Sequence, residues 1–185
     1  MAMIAPEQYT LKTGESVIIR TAAPDDAQAI LEHAHIILAE DLYNIRTLEE
    51  FKMTVEAERD WIQQHIDGPG KIILVAELAG AIVAMLAFEN SSRSRLAHRG
   101  AAHMSVLPEH RRKGIAAALL KSLIEWARKN PVIEKLKLAV FATNQPAVSL
   151  YRKMGFAEEG RRIKEIKIAE GQYVDEILMY RFVSD

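Results

Sequence analysis

The sequence predicts a mixed α/β domain built on a single sheet, with element order β-α-α-β-β-β-α-β-α-β-β. Three observations carry this. The 185 residues match about one domain at the usual ~100–200 residues each, with a core over about residues 17–182 and no linker or internal repeat. Segments of alternating apolar residues and segments of helical spacing succeed one another along the chain. Proline and glycine punctuate most junctions.

Taken in order, residues 17–19 read as a first strand ending at Arg20. Pro24, Asp25 and Asp26 then precede a helix with Ala27, Ile30, Leu31 and Ala34 on one face. A second helix is predicted over 47–65, with Thr47 and Glu50 spaced as a capping box and Gly68-Pro69-Gly70 beyond its end. Residues 72–78 and 82–89 form a hairpin around Gly80. Residues 98–106 read as a fourth strand that Pro108 breaks, and 114–129 as a helix carrying Ile115, Leu119, Leu120, Leu123 and Ile124. A fifth strand over 136–141 leads into a short helix over 145–154, for which Gly155 is a left-handed stop. Strands over 157–168 and 173–182 flank a turn at Glu170-Gly171.

Composition excludes several classes. With 24 basic and 25 acidic residues the net charge is −1, and 49% of the chain is hydrophobic. A disordered tail, a collagen-like chain and a polybasic nucleic-acid binder do not look like this. Arg93, Arg95, Arg99 and Arg111 to Lys113 are the basic residues a nucleic acid would need, and the overall charge balance disfavours that use. There is no cysteine, so disulfides, thiolate metal sites and a cysteine nucleophile are excluded. The opening residues 1–6 lack a secretory signal, and the longest apolar runs, 72–76 and 81–87, fall short of the ~18–20 residues that span a membrane. The expectation is a soluble cytoplasmic protein. His33-x-His35 does not read as a metal pair, because residues two apart on a helix face different ways; no metal is expected.

The chemically informative stretch runs from Val106 through Pro108 and Arg111-Arg112-Lys113-Gly114 to Ala116. A strand ends, a proline turns the chain, and a basic loop opens a long helix. The first turn of a helix leaves N–H groups unpaired and carries partial positive charge, so this junction suits a diphosphate. It also reads as an ordinary strand-to-helix turn with a solvated basic patch. Neither G-x-x-x-x-G-K-[ST] nor G-x-G-x-x-G is present.

Arg111-x-x-Gly114-x-Ala116 resembles the [Q/R]-x-x-G-x-[G/A] acetyl-CoA signature of the GNAT N-acetyltransferase superfamily. About 30 residues on, Asn144-Gln145-Pro146-Ala147 followed by Leu150-Tyr151-Arg152-Lys153-Met154-Gly155-Phe156 is similar to that family's N-x-x-A-x-x-[LF]-Y-x-[KR]-x-G-F segment. The resemblance covers nearly the whole chain and implies the GNAT fold. It implies that the amides of Arg112, Lys113, Gly114, Ile115 and Ala116 hold the CoA pyrophosphate, with Arg111 contributing at the start of the loop. Met104, Ser105 and Val106 would bond the pantetheine through their backbones, and Asn144 would meet it from the other side. Tyr151 would protonate the departing thiolate, and Lys153 would reach a CoA phosphate. Tyr151 also reads as a core aromatic, and Asn144 as a helix cap.

An amine attacks an acetyl thioester through a tetrahedral oxyanion, and without cysteine the transfer is direct, in a ternary complex. The Val106 N–H, aimed between the fourth and fifth strands, would polarise the carbonyl. A lysine-like amine, with pKa ~10.4, is neutral in only about one molecule in 10³ near pH 7, so a base or a desolvating site is called for. The strand over 98–106 lacks the glutamate some relatives use. His103 is the nearest titratable substitute, with Glu89 and Glu77 behind it. An α-amino acceptor, with pKa ~7.7–8.0, needs less help. Glu40-Asp41-Leu42-Tyr43 and Tyr173-x-Asp175 are candidate acceptor contacts. The edge strands near the C terminus allow a homodimer. A non-catalytic CoA-sensing or partner-binding domain is the alternative, against which the presence of both Tyr151 and Asn144 argues.

Overall fold

A computed structural model describes residues 3–184; Met1, Ala2 and Asp185, counted within the domain by the sequence reading, lie outside the described residues. The chain order is β1 (Glu7–Thr10), β2 (Ser16–Thr21), α1 (Ala27–Ala39), α2 (Val55–Asp67), β3 (Lys71–Leu78), β4 (Ala81–Asn90), β5 (Arg99–Val106), α3 (Ile115–Lys129), β6 (Lys135–Phe141), α4 (Gln145–Lys153), β7 (Ala157–Ala169) and β8 (Gln172–Phe182). All eight strands join one mixed sheet in the order β1-β2-β3-β4-β5-β6-β8-β7.

Alternation along the strands decides which helix covers which face. Ile73, Val75 and Ala87 pack with Ile30 of α1 and Ile62 of α2. Their neighbours Ile72, Leu74, Leu86 and Phe88 pack with Leu119, Leu120 and Leu123 of α3, and Val148 and Tyr151 of α4 share that second cluster. The apolar face of α3 read from the sequence is therefore the centre of the larger core.

Two elements differ from the sequence expectation. β1 was not anticipated, because Glu-Gln-Tyr-Thr has one strongly apolar residue. It is an edge strand, held by backbone pairing to β2 and by the Tyr9 hydroxyl, which lies 3.0 Å from Ser122 Oγ of α3. The second helix starts at Val55 rather than at 47. Glu50 does accept from the Thr47 N–H at 2.9 Å, but that half-box closes only a turn. Thr54 caps the real helix, its Oγ1 accepting from the Ala57 N–H at 3.2 Å, and buried Glu58, Ile62 and His65 begin at helical spacing only from there.

Gly100, opposite Asn90 of β4 and Leu136 of β6, tightens the sheet beside the functional gap. A Cβ there would collide with the Phe88 ring and lie 2.6 Å from the Glu89 carbonyl oxygen. Gly100→Ala is expected to cost about 1–3 kcal/mol through overpacking, read as a lower denaturation midpoint. Gly160→Ala, which meets nothing within 4 Å, should leave the midpoint nearly unchanged.

Candidate active site

The sheet opens between β5 and β6. β5 and β6 run parallel and pair only at Arg99–Lys135, Gly100–Leu136 and Ala101–Lys137. Beyond Ala101 the two strands part, although each stays paired on its outer side: β5 with β4 as far as Val106 and β6 with β8 as far as Phe141.

The register fixes what lines the gap. Just past the end of β5, the Leu107 N–H donates to the Val83 carbonyl at 2.9 Å. In an antiparallel ladder the bonded pairs alternate, so odd-numbered residues of β5 bond β4 and even-numbered ones turn their N–H and C=O toward β6. Met104 and Val106 accordingly present backbone groups to the gap. Ser105, expected to do the same, does not: it sits opposite Met85 in a pair bonded to β4. Its side chain instead lies on the α1 side, where Oγ is 2.8 Å from His33 Nε2. His103 shares that side, exposed and without a hydrogen-bond partner among the described residues.

The loop after β5 rises to α3 through Arg112 (φ 62°) and Gly114 (φ 105°), the second a conformation that glycine adopts without strain. Among the described residues nothing accepts from the amides of Arg112, Lys113, Gly114, Ile115 or Ala116. A Cβ on Gly114 would meet nothing within 4 Å, so the space over these amides is open to an anion. The Ile115 side chain is buried in the core, leaving only its amide for this purpose. The Lys113 carbonyl accepts from the Lys12 N–H at 3.1 Å, tying the loop to the N-terminal hairpin. A cavity of about 280 Å³ continues from here along α3, lined by Tyr9, Lys12, Lys113, Gly114 and Lys121.

Arg111 departs from expectation. Its Nε donates to the Val106 carbonyl at 2.9 Å and its two terminal nitrogens fork onto the Glu40 carboxylate. The guanidinium thus closes the upper end of the gap and ties it to the end of α1, engaged with protein groups rather than turned toward the loop amides. Glu77 and Glu89 are likewise engaged, in ion pairs with Arg20 at 2.9 Å and with Lys71. Asp175 lies on the C-terminal hairpin, where Oδ1 accepts from the Lys164 N–H at 2.8 Å, and Tyr173 is exposed there. Tyr43, by contrast, reaches the gap and meets the Phe141 ring edge-on at 6.0 Å.

On the α4 side, Asn144 caps the helix, its Oδ1 accepting from the Ala147 N–H at 3.3 Å. Its Nδ2 keeps both hydrogens available. Tyr151 is buried, its ring 6.0 Å from Phe156; burial pushes the phenol up to about 12, and the hydroxyl has no partner among the described residues. Lys153 is exposed and unpaired among them.

In the sequence His33 stands only in His33-x-His35, which does not read as a metal pair. Its signal was a histidine among the buried positions Ile30, Leu31, Ile37 and Leu38 of α1. Burial lowers its pKa to about 4, slightly opposed by Glu109 and assisted by Arg111.

Compared with known proteins, residues 38–156 match the acetyltransferase (GNAT) family. The chain is 30% identical over 165 residues to the L-amino acid N-acetyltransferase AaaT of Escherichia coli K12, covering 89% of this chain and 97% of that one. Its fold is similar to the crystal structure of an acetyltransferase of the GNAT family from Streptococcus pneumoniae, with a TM-score of 0.87 and 28% identity over 90% of this chain and 99% of that one. It is also similar to yncA of Salmonella typhimurium, solved with its cofactor acetyl-CoA, with a TM-score of 0.81 and 19% identity over 91% and 95% of the two chains.

The buried neutral His33 fixes one sign of pH dependence. Below its unfolded value of ~6.5 the unfolded chain takes a proton that the folded one refuses, so stability falls as pH drops toward 4, by on the order of 3 kcal/mol. His65, lowered by burial as well, adds slope of the same sign. Urea unfolding at pH 7, 5.5 and 4.5 is expected to show this decline, and His33→Gln to flatten it.

Proposed function

The chain belongs to the acetyltransferase (GNAT) family and transfers acetyl from acetyl-CoA, and from that premise we propose that its acceptor is an α-amino group, of a small molecule or a peptide N terminus, attacked directly at the β5–β6 gap. The observation that carries this reading is the gap itself: the backbone groups of Met104 and the N–H of Val106, open beside a loop whose amides from Arg112 to Ala116 have no acceptor among the described residues.

In this reading the amides of Arg112 to Ala116 hold the pyrophosphate, with Lys113 and Lys153 adding charge, and the lysine-lined cavity along α3 takes the nucleotide end. The Met104 backbone and the Asn144 Nδ2 hold the pantetheine from the two sides of the gap. The cradle lies at the start of α3, so the amine enters from the α1 and α2 face, past Glu40 and Tyr43. Its lone pair forms the C–N bond while the carbonyl π pair gathers on oxygen, facing the Val106 N–H. The pair then returns as the C–S bond breaks and the sulfur leaves toward Tyr151.

A phenol near 12 is a weaker acid than a free thiol at ~8.5. Tyr151 therefore stabilises the departing sulfur as a hydrogen-bond donor that stays protonated over the working range, and gives up its proton only as far as burial raises the thiol too. The amine's surplus proton passes to exposed His103 or to water. An α-amine, with pKa ~7.7–8.0, is substantially neutral near pH 7.5, which fits a gap whose β5 wall carries no carboxylate. The L-amino acid acceptor in the name of the E. coli relative supports the same class. β7, an edge strand exposed along most of its length, supports pairing with a second copy.

The test is turnover on free amino acids and short peptides against Nα-blocked lysine. Free α-amines are expected to be acetylated in preference, and preference for the blocked lysine would overturn the acceptor reading. On the best acceptor, Tyr151→Phe should lower kcat about 10²-fold with the KM for acetyl-CoA nearly unchanged. Unchanged kcat would remove Tyr151 from the leaving-group role.

A further inference from the structure

His33 and Ser105 form a pair that the mechanism above leaves unused. His33 is 2% exposed, yet its Nδ1 is buried with no partner. The contrast with other helical histidines is direct: His35 Nδ1 reaches the carbonyl of Leu31 at 2.7 Å and His65 Nδ1 that of Trp61 at 2.9 Å. A buried N–H without an acceptor is rarer in folded proteins than an under-satisfied acceptor. The proton of the neutral ring therefore belongs on Nε2, and the 2.8 Å contact is a donation from imidazole to Ser105 Oγ. That assignment leaves the serine hydrogen with no acceptor among the described residues, on a half-buried side chain on the α1 face of β5, where that strand has parted from β6. The adjoining peptide N–H, that of Val106, is aimed into the same gap.

We propose that the Ser105 hydroxyl is a second donor to the thioester carbonyl oxygen, alongside the Val106 N–H, and that His33 is the positioning residue that turns it there. The inference rests on the reading of Val106 as the first donor. A hydroxyl that accepts from imidazole is polarised into a better donor. No proton changes hands at the pair: the carbonyl π pair moves to oxygen as C–N forms, is stabilised by both donors, and returns as C–S breaks. Because burial keeps His33 neutral to about pH 4, the arrangement persists across the range in which an amine is reactive. Glu109 and Arg111 are the charged groups acting on the ring.

The experiment is infrared difference spectroscopy of acetyl-CoA labelled with ¹³C at the carbonyl, bound to the full chain without acceptor. The bound carbonyl stretch is expected at lower frequency than in water. Ser105→Ala should lose part of that downshift while acetyl-CoA affinity changes less than about threefold. His33→Leu should lose the same part, and His33→Gln, which keeps an N–H donor near the Nε2 position, should retain it. With an amine present, Ser105→Ala should lower kcat roughly ten- to a hundredfold at unchanged acceptor KM. An unshifted carbonyl in the wild type overturns the Val106 reading and this inference with it. A full downshift surviving both Ser105→Ala and His33→Leu overturns the role of the pair alone and leaves Val106 in place.

Discussion

A sheet normally satisfies its backbone by continuing its ladders, and the interruption between β5 and β6 is what the rest of this molecule is arranged around. Seven residue pairs hold β5 to β4 and seven hold β6 to β8, whereas three join β5 to β6. Each strand is thus fixed from outside, and the wedge between them cannot close without tearing a longer ladder. The N–H and C=O groups of Met104 and the N–H of Val106 stand open there, fixed in direction before any substrate arrives. Such preorganised donors need no reorganisation when charge develops on a carbonyl.

Both faces of the sheet deliver something to this wedge. The α3 side brings the loop amides, with Gly114 in a left-handed conformation that opens space above them. The α1 side brings three separate contacts: Arg111 between Glu40 and the Val106 carbonyl, His33 on Ser105, and Tyr43 on Phe141. The segment proposed to meet the acceptor is therefore physically tied to the strand ends proposed to meet the thioester. Arg111 is the hinge of that connection, since it belongs to the anion loop by sequence and to the acceptor side by contact.

Much of this was legible in the sequence where local rules coincide with tertiary need. The hairpin at Gly80, the long apolar face of α3 and the cap at Asn144 each follow from short-range pattern, and each stands where the pattern puts it. The failures share a cause. β1 and the true start of α2 depend on what the segment packs against, which composition does not record. Motif position assigns Arg111 and Ser105, but the direction of the Ser105 peptide follows from ladder register, where a shift of one residue reverses it, and that of the Arg111 side chain from Glu40, 71 positions away. His33 reads in the sequence only as half of His33-x-His35, because its partner lies 72 positions away.

Amide hydrogen exchange with and without acetyl-CoA tests the gap most directly, residue by residue. In the free protein the amides of Met104, Val106 and Arg112 to Ala116 should exchange fast, while those of His103 and Ser105, bonded to β4, should exchange slowly. Saturating acetyl-CoA should protect the fast set, Val106 and Gly114 included, by tenfold or more, and leave His103 and Ser105 nearly unchanged. Protection confined to other parts of the sheet, or fast exchange persisting at both Val106 and Gly114 in the bound state, would contradict the account.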